Sequence, residues 1–511
     1  MDYEDQIDAL VKSFCGLFYI GTPNHRHVIN KCLDIADRYS LEVYRYNISK
    51  GIIRPDGIKA RSEYKDPIQM LDMILGFEER GNILERKLFI LEYFDSIMEG
   101  NDPMVMTKLR LIHDKPSLLR TVILTGSHNY KLPETLTDVP RIDLPVLSKQ
   151  EIAGILKGTN DEQSKGKMAA LTSSLQGLTE TECENVLALN LTKTRSFDPA
   201  FIEKEKVGIV SQRVKGLIRI CDPQWTLDDV GGLDMLRSWL MTRGRMMQGR
   251  AAKRFPSLPA PKGILLTGPP GCGKSFISEA IAGSWKTRLI KLQPALCFHS
   301  LVGQTEHNFV TAFEIIKNAL SPCVVVFEEF EKFFPGDTGS SSDGGVSSRV
   351  LGIVLDFLQS GREGVFVCAT TNDVHTLSPE TMRSLRFDAC WFIDLPQRHE
   401  RKAILNILLK KYGISGSLSP SERVIDACEY FSAAEMEQAL IEAMVFCNEK
   451  ETDLNEFIML KAFNDIIPLA ISRENELRDM REWAPGRARM ASSNKDNNHD
   501  ERSRICPISQ R

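Results

Sequence analysis

Gly263-Ile264-Leu265-Leu266-Thr267-Gly268-Pro269-Pro270-Gly271-Cys272-Gly273-Lys274-Ser275 is the most informative stretch of this 511-residue chain. An apolar run typical of a buried strand leads into Gly-x-x-x-x-Gly-Lys-Ser, and a helix-forming run follows from Phe276. Glycines let backbone N–H groups approach phosphate oxygens, and the N-terminus of the following helix adds partial positive charge. The pattern predicts a phosphate-binding loop in which Lys274 reaches the β- and γ-phosphates and the Ser275 hydroxyl ligates Mg²⁺. The alternative is a glycine-rich turn with an accidental Lys-Ser pair, which the flanking strand and helix disfavour.

Composition limits the classes of protein to consider. A net charge of −4 and a pI of about 6.2 indicate no general affinity for nucleic acid or for anionic membranes. No apolar run approaches the ~18 residues of a membrane span, and the acidic start does not resemble a signal peptide. The 12 cysteines are scattered without a Cys-x-x-Cys pair, which favours a reducing cytoplasm.

Polar residues end two further apolar runs. Glu328 and Glu329 follow Cys323–Phe327, and Asn372 follows Val365–Thr371. Acids at the C-terminal end of a buried parallel strand lie where ligands bind in open α/β sheets. We expect one acid to hold Mg²⁺ and the other to polarise the attacking water, with Asn372 beside the γ-phosphate. Taken singly, solvated acids and a turn asparagine are common alternatives.

Two arginines, Arg383 and Arg386, lie three residues apart beyond Asn372 in the chain. They fit a salt-bridge set on one helix face, or arginine fingers supplied to a neighbouring subunit in a ring.

These residues carry a resemblance. The segment from about Trp225 to Ala470 resembles an AAA ATPase module, a P-loop sheet with helices and a small helical lid. Within AAA proteins the chain is similar, over nearly its whole length, to the open-reading-frame AAA family of cyanobacteria and chloroplasts. The matching segments are Leu227-Asp228-Asp229-Val230-Gly231-Gly232-Leu233, Val302-Gly303-Gln304-Thr305-Glu306, Phe431-Ser432-Ala433-Ala434-Glu435-Met436-Glu437, Trp239 near Arg243, Pro261-Lys262-Gly263, Ser347-Ser348-Arg349-Val350, Arg481-Glu482-Trp483-Ala484 and Arg487-Ala488-Arg489.

The resemblance implies ATP and Mg²⁺ as ligands. Val230 and Gly231 fall in the segment that packs on adenine, and Ala434 falls on a lid alanine near the nucleotide. Mg²⁺ would be held by Ser275 and Glu328. The implied phosphate-binding residues are Gly268, Pro269, Pro270, Gly271, Cys272, Gly273, Lys274, Ser275 and Phe276.

The resemblance also implies a mechanism and an assembly. Glu329 falls on the catalytic glutamate, Asn372 on sensor 1, and Arg383 and Arg386 on the two finger positions. The implied function is ATP hydrolysis by a homo-oligomeric ring that remodels a client protein, whose identity the sequence does not reveal.

Several positions depart from the family pattern. Glu328 replaces an aspartate at a metal position where Mg²⁺ geometry is strict. Leu385 and Ala433 replace glycines, Gln304 replaces a glutamate, and Leu301 stands where many translocases carry an aromatic pore residue. These departures keep open a second function, a regulatory scaffold that binds nucleotide and hydrolyses it weakly.

The first half of the chain looks like a degenerate copy of the second. Each half contains five apolar strands in a similar order, but the first has Asn24-His25-Arg26-His27 after Gly21-Thr22-Pro23, without Gly-Lys-Ser. We therefore predict two P-loop-type sheets of one topology, with only the second competent to bind nucleotide. An unrelated α/β domain is the alternative, and a different strand order in the two halves would exclude the repeat.

The resulting fold class is α/β, and five regions are expected. They are a degenerate P-loop-like domain (1–147), a helical lid and connector (148–221), the large ATPase domain (222–396), its small helical lid (397–475) and a C-terminal segment with a polar tail (476–511).

Overall fold

The computed structural model describes residues 3–53, 65–76, 86–128, 130–144, 147–158, 167–213, 217–247, 258–293, 304–333, 346–360, 364–373, 387–414 and 419–493. The chain forms two compact units, Met1–Ile209 and Val210–Arg511. In these ranges no helix has both the length and the apolar composition needed to cross a membrane.

The described strands of the first unit form a six-stranded sheet. They are β1 (Leu17–Gly21), β2 (Glu42–Asn47), β3 (Gly51–Ile53), β4 (Lys87–Leu91), β5 (Arg120–Gly126) and β6 (Arg141–Asp143). Their order is β3-β2-β4-β5-β1-β6, and only the β2–β3 pair is antiparallel. Every residue of β1 and β5 is buried, as expected for parallel strands covered on both faces.

Helices cover both faces of this sheet. Those that pack on it are α1 (Tyr3–Lys12), α2 (His25–Arg38), α3 (Pro67–Gly76), α4 (Asp95–Met98) and α5 (Pro103–Asp114). They are followed in the chain by α6 (Lys149–Gly158), α7 (Met168–Leu175), α8 (Glu180–Thr194) and α9 (Pro199–Arg213). Because successive residues of a strand point to opposite faces, Phe18 packs in the core that contains α2, and Tyr19 in the core that contains α5. Helices α6 to α9 have a separate apolar core.

The second unit contains a seven-stranded sheet. Its strands are β7 (Ile218–Cys221), β8 (Gly263–Thr267), β9 (Arg288–Leu292), β10 (Cys323–Phe327), β11 (Val365–Thr371), β12 (Ala389–Phe392) and β13 (Arg489–Met490). Their order is β13-β12-β8-β11-β10-β9-β7, and β7 alone is antiparallel to its neighbour.

The helices of the second unit belong to two groups. Along the sheet the structure describes α10 (Asp234–Met247), α11 (Lys274–Trp285), α12 (Gln304–Ile315) continued by a π-helical turn (Ile316–Leu320), and α13 (Val346–Gln359). The second group, called here the small helical group, consists of the helices after β12. They are α14 (Arg398–Lys411), α15 (Glu422–Ala427), α16 (Ala433–Lys450), α17 (Glu456–Asp465), α18 (Leu469–Ser472) and α19 (Glu474–Trp483). Residues of α14 to α17 form an apolar core of their own.

The two sheets have one topology. In chain order, the five parallel strands are β1, β2, β4, β5 and β6 in the first unit and β8 to β12 in the second. Across the sheets they lie as β2-β4-β5-β1-β6 and β9-β10-β11-β8-β12, which is the same arrangement of second, third, fourth, first and fifth strand. The prediction of two sheets of one topology is therefore confirmed.

Two segments outside the predicted ATPase domain contribute strands to its sheet. β7 lies in the range assigned to the connector, yet it pairs with β9, so the sheet begins before residue 222. β13 lies in the range assigned to the C-terminal segment and pairs with β12. Both are short edge strands, whose pairing partners are distant in sequence and leave no local periodic pattern.

In the first unit, side-chain contacts surround the loop that replaces Gly-Lys-Ser. His27 Nε2 lies 2.8 Å from Glu151 Oε1, and the Tyr3 hydroxyl donates to the same oxygen. Asn24 Oδ1 accepts a hydrogen bond of 3.0 Å from the backbone N–H of Glu180. The end of the loop after β1 is thus joined directly to α8, and the first turn of α2 to α6.

The pKa of Glu151 reflects these contacts. Burial alone would raise it, but hydrogen bonds from His27, Tyr3 and Ser148 outweigh burial and hold the pKa well below its ordinary value. The carboxylate is therefore stabilised in its charged form in the folded unit.

We expect Glu151 to stabilise the first unit at neutral pH and to lose that contribution in acid. A carboxyl group with a lowered folded-state pKa stabilises the fold above its unfolded value, and the contribution disappears as pH falls through the folded pKa. Below about pH 5, the unfolding free energy of the wild type should fall more steeply than that of Glu151→Gln. Denaturant titrations at a series of pH values measure both slopes.

The matched control is Glu184→Gln, which removes a carboxylate paired with Arg26 at the surface of the same unit. Its pH slope should match the wild type, because exposed pairs contribute little. Equal slopes in the wild type and Glu151→Gln would contradict this account.

Candidate functional site

The predicted phosphate loop joins β8 to α11, and two of its glycines are required for different reasons. Gly268 has φ +139°, and a Cβ there would lie 2.0 Å from the carbonyl oxygen of Ile393. Gly273 has φ +87° and caps α11, with open space where a Cβ would stand. The first glycine permits close backbone packing, and the second leaves the helix N-terminus accessible to an anion.

Lys274 is buried inside this loop, with 7% of its surface exposed. Its Nζ donates hydrogen bonds to the carbonyl oxygens of Gly268 at 2.7 Å and Pro269 at 2.8 Å. Burial lowers the pKa of Lys274 to about 8, and the carboxylate of Glu331 acts against this shift. Ser275, the next residue, is exposed at the start of α11.

The small helical group contacts the loop directly. The backbone N–H of Ala434, at the start of α16, donates to the carbonyl oxygen of Gly271 at 3.1 Å. Ser432 caps α16 in a reciprocal box with Glu435, and a Cβ on Gly271 would lie 2.6 Å from Ser432 Oγ. The sequence Phe431-Ser432-Ala433-Ala434 therefore packs on the phosphate loop, close enough to require glycine at 271.

A cavity of ≈ 280 Å³ lies between the loop and this helical group. Of the predicted nucleotide-binding residues, Val230, Gly231, Gly271, Cys272, Gly273, Phe276 and Ala434 line it. Gly268, Pro269, Pro270, Lys274 and Ser275 do not line this cavity but belong to the loop that borders it.

The cavity has lining residues that the sequence analysis missed. Several come from one face of α14, where Ile404, Leu408 and Lys411 follow at helical spacing. Glu437 of α16 also lines the cavity and pairs with Lys411. Trp225 lines it as well, and its ring contacts that of Phe276 in a tilted arrangement at a centroid distance of 5.8 Å. The apolar spacing on α14 was visible in the sequence, but the same spacing is typical of a helix that faces the core.

The acids after β10 are half-exposed and each contacts a lysine. Glu328 Oε1 lies 3.8 Å from Lys291 Nζ, and 43% of the Glu328 side chain is exposed. Glu329 has a left-handed backbone, φ +51°, and pairs with Lys332. Both carboxylates can leave these loose contacts for a ligand, because exposed pairs of this kind contribute little free energy.

Glu331 is a third acid at this edge of the sheet, and the sequence analysis did not identify it. Its Oε1 accepts a hydrogen bond of 3.3 Å from the backbone N–H of Asn372, the residue that follows β11. The structure thus brings Asn372 to the strand end beside the β10 acids.

Arg383 and Arg386 lie outside the described residues, as do Leu385 and Leu301. Their roles stay predictions from the sequence.

Comparisons with known proteins agree with this geometry. Residues 264–395 match the model of the ATPase family associated with various cellular activities (AAA), and residues 3–142 match the N-terminal domain of SpoVK-like AAA ATPases. These ranges cover most of the second and first sheets respectively. The chain is similar over 506 residues, at 30% identity, to an uncharacterized AAA domain-containing protein ycf46 of Pyropia yezoensis, covering 96% of this chain and 100% of that protein.

Two further relatives match about half of this chain. The ribosome biogenesis ATPase RIX7 of Saccharomyces cerevisiae is 29% identical over 258 residues, which cover 49% of this chain and 30% of RIX7. The peroxisomal ATPase PEX1 of Dictyostelium discoideum is 30% identical over 250 residues, 48% of this chain and 20% of PEX1.

Gly268→Ala should destabilise the second unit by about 2–4 kcal/mol, because the new Cβ collides with a backbone oxygen and the φ is unfavourable. Gly352→Ala is the control. Gly352 lies within α13 with open space where a Cβ would stand, so alanine should stabilise the helix by about 0.5–1 kcal/mol. Urea unfolding followed by fluorescence measures both changes, and a stable Gly268→Ala protein would disprove the close packing at Ile393.

Proposed function

Because the chain belongs to the family of ycf46 AAA domain-containing proteins, AAA-type ATPases, we propose that it binds ATP with Mg²⁺, hydrolyses it, and works as a homo-oligomeric ring that remodels a partner protein. The observation that carries the proposal is the cavity bounded by the phosphate loop on one side and by Ala434 on the other. A cleft between two packed groups of helices and strands can change shape as its ligand changes.

The residues of the loop suit a triphosphate. Lys274 exchanges its two carbonyl acceptors for β- and γ-phosphate oxygens. The N-terminus of α11, which begins after Gly273, adds partial positive charge beside the same anion. The adenine base occupies the cavity between Val230 and Ile404, where the lining is mostly apolar.

The residues present also fit Mg²⁺. Ser275 offers an exposed hydroxyl beside Lys274, and Glu328 offers a half-exposed carboxylate at the end of β10. Oxygen ligands of these two kinds are those that Mg²⁺ accepts. When bound, the ion neutralises charge on the β- and γ-phosphate oxygens.

Hydrolysis needs a group that orients water. Glu329 takes this role, since it follows the metal acid at the end of β10, and Asn372 assists from the end of β11. Arg383 and Arg386 of a neighbouring subunit stabilise charge in the transition state, a contribution worth roughly 10³–10⁵ in rate for arginine fingers in general. A ring is required for these arginines to reach a neighbour's site.

The compartment proposed is a reducing cytoplasm, based on the scattered cysteines. The partner is proposed to be a protein rather than a nucleic acid, since the net charge is −4.

A second function, a nucleotide-binding regulatory scaffold with weak hydrolysis, is favoured by one observation. Glu328 carries one methylene more than the aspartate usual at this position and lies 3.8 Å from Lys291. A displaced carboxylate would hold the metal less well and slow the reaction while binding persisted.

Lys274→Ala should weaken ATP binding and abolish turnover, because the triphosphate loses its buried cation. Glu329→Gln should retain binding and lower turnover by about 10²–10⁴-fold, the usual contribution of a general base. Fluorescent-nucleotide titration and steady-state phosphate release measure the two quantities. ATP binding in the wild type without Mg²⁺-dependent turnover would exclude the proposed motor and leave the scaffold.

Glu328→Asp separates the two functions. If the protein is an active ATPase adapted to glutamate, this shortening should change turnover by less than about tenfold, as expected for a loss of less than 1.4 kcal/mol. If it is a weakly hydrolysing scaffold, aspartate should restore metal geometry and accelerate phosphate release well beyond tenfold. Glu328→Gln, which removes the charge but retains the length, is the control and should lower turnover in either case.

A further inference from the structure

Glu331 occupies a position between the two strand ends that carry the proposed chemistry. It lies in the short 3₁₀ turn Phe330–Phe333 that follows β10. Phe330 is fully buried and contacts Phe327 edge to face, so the turn is anchored in the core. Glu331 Oε1 accepts from the Asn372 N–H, and its other carboxylate oxygen is buried without a hydrogen-bond partner among the described residues.

The first unit contains the same contact. Asp95 comes four residues after the end of β4, as Glu331 comes four residues after the end of β10. Asp95 Oδ2 accepts a hydrogen bond of 2.7 Å from the backbone N–H of Ser127, the residue that follows β5. Asn372 likewise follows β11.

Strand register and backbone conformation confirm the equivalence. Leu91, the last residue of β4, pairs with Leu124, three residues before Ser127. Phe327, the last residue of β10, pairs with Ala369, three residues before Asn372. Two residues after each strand, Tyr93 and Glu329 both adopt the left-handed backbone, with φ +55° and +51°.

The equivalent hydrogen bond is present in both units, but only the second unit has the phosphate loop. The first unit has no Gly-Lys-Ser after β1, so its Asp95–Ser127 bond cannot serve nucleotide chemistry. The shared role must therefore be structural. In each unit an acid beyond the third parallel strand (β4 or β10) accepts a hydrogen bond from the residue that follows the fourth (β5 or β11). In the second unit, that residue is Asn372.

We propose that Glu331 is a positioning residue for the ATPase site, whose hydrogen bond to the backbone of Asn372 holds that side chain in place relative to the acids after β10. This inference rests on the proposed function. The electrostatic effect of Glu331 on Lys274 agrees with its place beside the phosphate loop.

The hydrogen bond that Glu331 accepts, rather than its negative charge, positions Asn372. Glu331→Ala removes the acceptor, so Asn372 shifts and turnover falls by about 10–100-fold, since a displacement of about 1 Å can cost 10² in rate. Nucleotide affinity changes less than about threefold, because the phosphate loop is intact. Glu331→Gln retains an acceptor oxygen at the same distance and keeps turnover within about threefold of the wild type.

The matched control is Asp95→Ala, which removes the equivalent bond from the unit without a phosphate loop. Each variant of the full chain is tested for steady-state phosphate release, for nucleotide affinity, and for hydrogen exchange of the peptide that contains residues 365–373. Glu331→Ala should speed exchange in that peptide and lower turnover, and Asp95→Ala should change neither. If Glu331→Ala does not fold, Glu331→Ser, whose side chain is too short to reach the amide, replaces it.

Three results would overturn the inference. They are unchanged turnover in Glu331→Ala beside an active wild type, an equal loss in Glu331→Gln, or an equal loss in Asp95→Ala. A wild type without turnover would instead overturn the proposed function, and the hydrogen exchange of residues 365–373 would then decide the positioning role alone.

Discussion

The second unit depends on how it accommodates one buried ammonium group. An unpaired cation removed from water costs several kcal/mol, so Lys274 can be buried only where acceptors surround its Nζ. The carbonyl oxygens of Gly268 and Pro269 supply them, at 2.7 and 2.8 Å. The loop starts its turn at Gly268, in a conformation and at a contact distance that only glycine tolerates. The carbonyl of Gly271 is then presented to the N–H of Ala434. The loop backbone that accepts hydrogen bonds from Lys274 therefore also contacts the small helical group. The cavity lies between the loop and that group.

The first unit builds the same sheet without that cation. The loop after β1 and the first turn of α2 are instead held by side chains, with Asn24 accepting from the N–H of Glu180 and His27 contacting Glu151. The acids that directly follow β4 and β10 also differ in their burial and contacts. Glu92 is almost wholly buried and accepts from Arg45 Nε at 2.6 Å, whereas Glu328 is half-exposed and 3.8 Å from Lys291. Glu92 is thus held by a close buried contact, whereas Glu328 has a weaker contact that a ligand can displace.

Much of this arrangement could be predicted from local sequence. The phosphate loop, the strands before Glu328 and Asn372, and the repeated order of five strands each follow from a continuous apolar run with polar residues at its end. The short edge strands β7 and β13 could not be predicted, because their pairing is with residues distant in sequence. The face of α14 that lines the cavity was also missed, since Ile404 and Leu408 have the spacing of ordinary core residues.

The sequence by itself determined the type of fold, the succession of five apolar strands along each half of the chain, and the absence of Gly-Lys-Ser after the first strand of the first half. These properties depend on residue type and spacing along the chain, which local sterics and hydrophobic periodicity translate directly into strands, turns and helices. Only the tertiary structure decided that the N–H of Ala434 donates a hydrogen bond to the carbonyl oxygen of Gly271, and that Glu331 and Asp95 accept equivalent hydrogen bonds. A hydrogen bond between two strand ends depends on sheet register and on turn geometry, and neither is encoded at the position of a single acid.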